Sequence, residues 1–126
     1  MEAKILLQQG HAYRSQRNHK KAKEIFQRAL KIQMKDFGGD SLDVALTLNY
    51  IGNVLQREGR RDQALEQHKR ALDIQLKKVG EKHLDTANTY KYIGIALLKQ
   101  NDDEKAEETL RKALDIMDDL PAKCLI

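Results

Sequence analysis

Shifted along itself by 42 residues, the 126-residue chain meets itself twice more. Ala3 falls on Ala45 and Ala87, Gly10 on Gly52 and Gly94, and Ala22 on Ala64 and Ala106. Ala29 falls on Ala71 and Ala113, Leu30 on Leu72 and Leu114, and Ile32 on Ile74 and Ile116. Other columns keep their chemistry: Arg28, Arg70 and Lys112; Tyr13, Leu55 and Leu97; Leu6, Leu48 and Tyr90. Chance would seldom give even one identical column in three copies. A period of this length marks an array of supersecondary units, none of which can bury its apolar face alone. About three units are the usual minimum for stability, and three are present.

Each unit reads as two helices. Leu48, Ile51, Gly52 and Leu55 fall at i, i+3, i+4 and i+7, one stripe of a helix, and Tyr90, Ile93, Gly94 and Leu97 repeat it. Breaks follow at Arg17-Asn18, Gly59-Arg60 and Asn101-Asp102, and a second stripe then runs through Ala64, His68, Ala71 and Leu72. Phe37-Gly38-Gly39-Asp40 and Val79-Gly80-Glu81-Lys82 close units, because glycine adopts the left-handed conformation that ends a helix. Ser41 with Asp43, Asp85, and the trio Asp102, Asp103 and Glu104 suit first turns, where acids favour the helix dipole. Those acids are read as helix starts, not as paired catalytic carboxylates. A mid-helix glycine costs about 1 kcal/mol relative to alanine, so three in one register need a packing reason. The expectation is that Gly52 faces its partner helix near Ala64, and that Ala71 touches the first helix of the following unit.

Composition agrees with helices alone. Aromatics are 5% of the chain, proline occurs once and glycine seven times, too little turn and strand chemistry for a β-sandwich or barrel. Charged residues reach 33% and apolar ones 40%, with no apolar run near the roughly 18–20 residues that cross a bilayer. The start Met1-Glu2-Ala3-Lys4 lacks the layout of a signal peptide. The lone Cys124 offers no disulfide framework, and as the third residue from the end it does not match a prenylation motif. A reducing, cytoplasmic setting without membrane attachment is expected. Charge is graded along the chain, +6 over residues 1–38, +1 over 39–80 and −3 over 81–126.

The recurring small and large positions resemble the tetratricopeptide repeat (TPR). They are Leu6, Gly10, Tyr13, Ala22, Phe26 and Ala29; Leu48, Gly52, Leu55, Ala64, His68 and Ala71; and Tyr90, Gly94, Leu97, Ala106, Leu110 and Ala113. The common form has a period of 34 residues. The longer form seen here, with Leu42-Asp43-Val44-Ala45-Leu46-Thr47-Leu48-Asn49-Tyr50-Ile51-Gly52, looks like the repeats of kinesin light chains. The resemblance implies an all-α solenoid, a right-handed superhelix of three stacked helix-turn-helix units in a single domain. The units would span about 1–40, 41–82 and 83–119, with a short tail over 120–126. Gln9 departs from the Ile51 and Ile93 column, and the tail is too short to act as a capping helix. The chain therefore reads as a piece of a longer array, or as one that stacks on another copy.

The resemblance further implies that first helices line a concave groove that binds extended peptides, without catalysis. In register, Lys4, Leu7, His11 and Arg14, then Leu46, Asn49, Asn53 and Gln56, then Asn88, Lys91, Ile95 and Leu98 share one face, flanked by Arg57 and Lys99. Amides offer donors and an acceptor to a partner's backbone, and the cations make the groove mildly basic. The expected role is an interaction scaffold or adaptor that captures an acidic or neutral protein segment at His11, Arg14, Asn49, Asn53, Gln56, Arg57, Asn88, Lys91 and Lys99. The alternative is self-association, head to tail, between the basic first unit and the acidic last one. The carboxylate clamp of chaperone-binding TPR domains is not matched, since Leu7, His11, Tyr50, Asn88 and Tyr92 stand at its positions.

Other classes find little support. Lys20, Lys21, Lys23, Arg28 and Lys31 could attract phosphates, yet no aromatic platform interleaves with them, so nucleic-acid binding is not expected. His11, His19, His68 and His83 lack metal-ligand spacing, and Gly38-Gly39 lacks the Gly-Lys-Ser/Thr of a phosphate loop. His68 shares a register with Phe26 and Leu110 and is read as a packed side chain. No metal, cofactor or enzymatic activity is expected.

Overall fold

A computed structural model describes residues 2–121; Cys124 and the rest of the tail from 122 lie outside the described residues. Six helices follow one another, and no strand occurs among the described residues. They are α1 (Glu2–Ser15), α2 (His19–Phe37), α3 (Leu42–Arg57), α4 (Arg61–Lys78), α5 (Leu84–Lys99) and α6 (Asp103–Asp119). Each helix packs on its neighbour in the chain, and α3 also meets α5. Second helices, at 17 to 19 residues, are longer than first helices, at 14 to 16.

The breaks are turns of one design. Arg17, Gly59 and Asn101 share a register and all have positive φ, at 61°, 81° and 65°. Behind each, a backbone N–H reaches five residues back, from Asn18 to Tyr13, Arg60 to Leu55 and Asp102 to Leu97. This closure satisfies carbonyls that the helix end would leave open. Glycine fills the left-handed position once, so Arg17 holds it against the side-chain cost that L-residues carry there. Helix starts follow the expected chemistry in part. The Ser41 hydroxyl accepts from Val44 N at 3.2 Å, with Asp43 in the first turn. At α5 the cap is His83, whose Nδ1 accepts from Asp85 N at 3.0 Å. Asp102 makes no side-chain cap bond, while Asp103 and Glu104 lie in the first turn of α6.

Packing sharpens one expectation and corrects another. Gly52 faces its partner helix as expected, and what comes closest to it there is a side chain, that of His68. A Cβ built there would lie 2.6 Å from His68 Cε1 and 2.8 Å from its Nε2. At Gly10 it would meet Phe26 Cε1 at 2.5 Å, and at Gly94 it would meet Leu110 Cδ2 at 2.6 Å. In each unit the second helix seats a large side chain in the socket left by the first-helix glycine. Ala71, for its part, clusters with Val44, Ala45 and Leu48 of its own unit. The neighbouring Leu72 packs against the core of the following unit, as Leu30 does one unit earlier. Successive helical residues point about 100° apart, so one column closes the hairpin and the next joins the units. Leu114, the third member of the joining column, is 61% exposed.

Hydrogen bonds pin the same junctions. Thr47 Oγ1 donates to Gln33 Oε1 at 2.6 Å, and Thr89 Oγ1 donates to Gln75 Oε1 at 2.6 Å, both pairs buried and one repeat apart. Ile5 and Met117 occupy the corresponding registers of the first and third units.

The socket predicts a ranking. Gly10→Ala and Gly52→Ala should each lose on the order of 2 kcal/mol, because overpacking a fixed ring outweighs the roughly 1 kcal/mol gained in helix propensity. Gly94→Ala should lose less, since the half-buried Leu110 can rotate away. Urea denaturation of the three variants measures the order, and a Gly52→Ala protein as stable as the parent would contradict the socket.

Candidate functional site

A concavity of about 790 Å³ opens between the first and third units over α3. Arg14 and Ser15 of α1, Arg17 and His19 at the first turn, Asn53, Gln56 and Arg57 of α3, His68 of α4, and Tyr92 and Ile95 of α5 line it. Three arginines come from α1, its closing turn and α3, and no carboxylate is among the lining residues. Arg17, in the left-handed turn, lines the same cleft as Arg14 of α1. Tyr92 forms a wall, its ring stacked on His68 at 5.3 Å between centroids, with Lys91 Nζ 5.7 Å from the Tyr92 ring centre.

Of the residues expected in the groove, Arg14, Asn53, Gln56 and Arg57 share this cleft, together with Ile95. Lys91 reaches it through Tyr92. Asn88 is half-buried and Lys99 exposed, both outside the cleft lining. His11 is half-buried in an aromatic cluster, its ring 5.1 Å from Phe26 and 4.5 Å from Tyr50, and burial together with the nearby Arg14 lowers its pKa.

Asn49 is the clear correction. It is 3% exposed, and both of its amide atoms are engaged inside the stack. Its Nδ2 donates to Thr89 Oγ1 at 2.7 Å, and its Oδ1 lies 2.8 Å from His68 Nδ1. α5 packs across this register, with Thr89 against Asn49, so the position is covered by the next unit. Asn49 therefore joins α3, α4 and α5 from within, and acts on the cleft only by orienting His68.

Sequence reasoning missed Arg17, His19, His68 and Tyr92 as lining residues. Arg17 and His19 lie in and beside a turn, outside any helical stripe. For His68 a signal existed, since a polar residue stands where the other copies carry Phe26 and Leu110. Elsewhere the basic stretch of α2 is partly occupied, with Lys23 paired to Glu58 at 3.1 Å and Lys21 Nζ 5.9 Å from the Tyr13 ring centre. Among the described residues no group of three or more His, Cys, Asp or Glu is placed to hold a metal ion. No helix among them is long and apolar enough to cross a membrane.

Comparison with known proteins bears on the architecture. The family model of the tetratricopeptide repeat matches residues 1–77 and, in a second register, 43–119. The chain belongs to the tetratricopeptide repeat family. Repeats of this family generally mediate protein–protein interaction, on a fold that is typically a non-enzymatic scaffold. Among solved structures, BtubC (BKLC) from P. vanneervenii superposes with a TM-score of 0.90 at 23% identity, over 97% of this chain and 48% of that one. A kinesin light chain protein of nearly identical TPR-like repeats from Podosopora anserina gives 0.76 at 17% identity, over 91% and 55%. The Sgt2 TPR domain from Aspergillus fumigatus gives 0.72 at 17%, over 98% and 72%. At these identities the likeness is one of fold. The chain spans about half the length of the first two proteins. No curated protein sequence matches it.

His68 gives the site a measurable pH signature. Burial pushes its pKa from the usual 6.5 down to about 4. Between these values the unfolded chain binds the proton more readily than the folded one. The contribution is therefore complete above about pH 6.5 and falls away as the pH drops toward 4. The loss should be on the order of 3 kcal/mol across that window. Urea denaturation at stepped pH tests it, with His68→Phe expected to flatten this part of the profile; an unchanged acid limb in the variant would assign the loss elsewhere.

Proposed function

We propose that the chain is a non-catalytic interaction module that takes an extended acidic segment of a partner protein into the cleft over α3. The observation that supports this most is the gathering of Arg14, Arg17 and Arg57 around one concavity with no carboxylate in its lining. Such a site attracts carboxylates and repels cationic peptides, and arginine binds carboxylate through a planar fork. Ile95 and Tyr92 add apolar surface on the opposite wall. Of the acidic and neutral segments expected from sequence, this lining favours the acidic one. The lone cysteine fits work in the cytoplasm.

The test is anisotropy of labelled acidic and basic hexapeptides against the wild type and Arg14→Ala/Arg57→Ala. Exposed charge pairs contribute about 0.2–1 kcal/mol each, so the double variant should bind the acidic peptide roughly tenfold more weakly. Raising the ionic strength from about 0.01 M to about 1 M shortens the screening length from roughly 30 Å to 3 Å and should weaken binding further. Equal affinity for both peptides, or an unaffected double variant, would remove the acidic-segment reading.

A second reading, head-to-tail stacking of copies, has its own support. The first unit is +6 and the last −3, and exposed Ile5 and Leu114 lie on outward-facing registers, with Met117 where a joining glutamine stands in the other units. Such stacking would set Met117 of one copy against Ile5 of the next. Sedimentation velocity over a concentration series at low and high salt tests it: association that weakens with salt supports stacking, and one concentration-independent species counts against it.

A further inference from the structure

The floor of the cleft differs in kind from its rim. Gln56 Oε1 is buried and has no hydrogen-bond partner among the described residues. His68 comes from α4, the outer helix of its unit, and reaches the cleft because Gly52 leaves its socket open. Its Nδ1 faces Asn49 Oδ1, and the Asn49 amide is oriented by its own donation to Thr89. In that orientation of the amide, Nδ1 carries the proton that Asn49 accepts. Nε2 is left with a lone pair, and burial keeps the ring neutral. His68 is only 1% exposed, and Nε2 is its ring nitrogen without a partner among the described residues. Two acceptors thus share one lining with three cations, and with His19, whose Nδ1 is likewise buried without a partner among the described residues.

A carboxylate or phosphoryl oxygen placed against such acceptors would meet lone pair with lone pair. A group that donates a hydrogen bond would satisfy them. An extended peptide supplies both chemistries, with N–H groups along its backbone and anionic side chains that leave it to either side. We propose that Gln56 and His68 form an acceptor floor that binds main-chain N–H groups of an extended peptide, while Arg14, Arg17 and Arg57 hold its carboxylates. This rests on the acidic-segment reading and adds which part of the ligand lies deepest. His68 is a ligand-contacting residue on this account, and Asn49 is its positioning residue.

The probe is a labelled, acetylated hexapeptide of alternating Glu and Ser, with a second version N-methylated at its two central residues. N-methylation removes donors and leaves the charge unchanged. Anisotropy titrations of wild type should show the methylated peptide weaker by about tenfold, the scale of one or two net hydrogen bonds. In His68→Phe and in Gln56→Met the unmethylated peptide should weaken, and the penalty for methylation should shrink. Arg14→Ala/Arg57→Ala should weaken both peptides in the same proportion. Phe26 already fills the equivalent socket over Gly10, so His68→Phe is the replacement whose shape the fold accepts. If it fails to fold, the methylation contrast in wild type and in Gln56→Met decides the matter. Arginine-dependent binding that ignores methylation would overturn the acceptor floor and leave the cleft reading standing, whereas no binding of either peptide would overturn both. Independently of any ligand, long-range proton–nitrogen NMR of the imidazole should show Nδ1 protonated and Nε2 bare at neutral pH. A proton on Nε2 would also overturn the proposal.

Discussion

Every unit of this protein gives up one side chain on its first helix and fills the space from its second. Phe26 sits over Gly10, His68 over Gly52 and Leu110 over Gly94. The socket brings the helices of a hairpin together and fixes their register, since only a side chain at that one level can enter. Once the register is set, Ala29, Ala71 and Ala113 fall inside the hairpin, while Leu30 and Leu72 emerge on the side of the following unit. The stack follows from that division of neighbouring residues. A lone hairpin would leave its leucine column in water, and the next unit covers it.

The junctions between units are more than greasy contacts. Gln33 with Thr47, and Gln75 with Thr89, place one buried hydrogen bond at each junction, and buried polar pairs of this kind specify register because a shifted alternative leaves both groups unpaired. At the second junction the network extends from Thr89 through Asn49 to His68. The middle unit has replaced an apolar plug by a histidine and so turned a core position into a polar one with access to the cleft. The same socket that holds the hairpin together thus brings a polar side chain of α4 into the lining of the cleft.

The electrostatic character of the cleft is local and does not follow from net charge alone. The middle unit is close to neutral, +1 over residues 39–80, yet the cleft above its first helix holds no carboxylate. Its cations come from the end of α1, the turn behind it and the end of α3, where first helices finish on the same side of the stack. Exposed charges in such positions are individually weak, and their value lies in acting together on a segment that spans them.

Much of the architecture was legible before any coordinates. A 42-residue period with small residues at fixed registers specifies two helices per unit, their breaks and the columns that must be buried, because helical periodicity is local and three copies confirm it. Arg14, Asn53 and Gln56 follow from helix register within the groove that the family resemblance implies, with Arg57 flanking them, and all four line one cleft. Register could not say how far each side chain stands from the next unit. Asn49 shares the stripe of Asn53, but α5 brings Thr89 over one and leaves solvent over the other. Arg17 and His19 lie in and beside a turn, where no periodicity operates; Asp85 stands in the first turn of α5 as expected, and His83 caps that helix. His68 read as core from its column, and only the three-dimensional placement of Asn49, Gly52 and Tyr92 around it brought it into the lining of the cleft. Patterns along one helix determine what is buried within a hairpin; the surface shared by three hairpins depends on the angle at which they stack, and that angle is a property of the assembled packing.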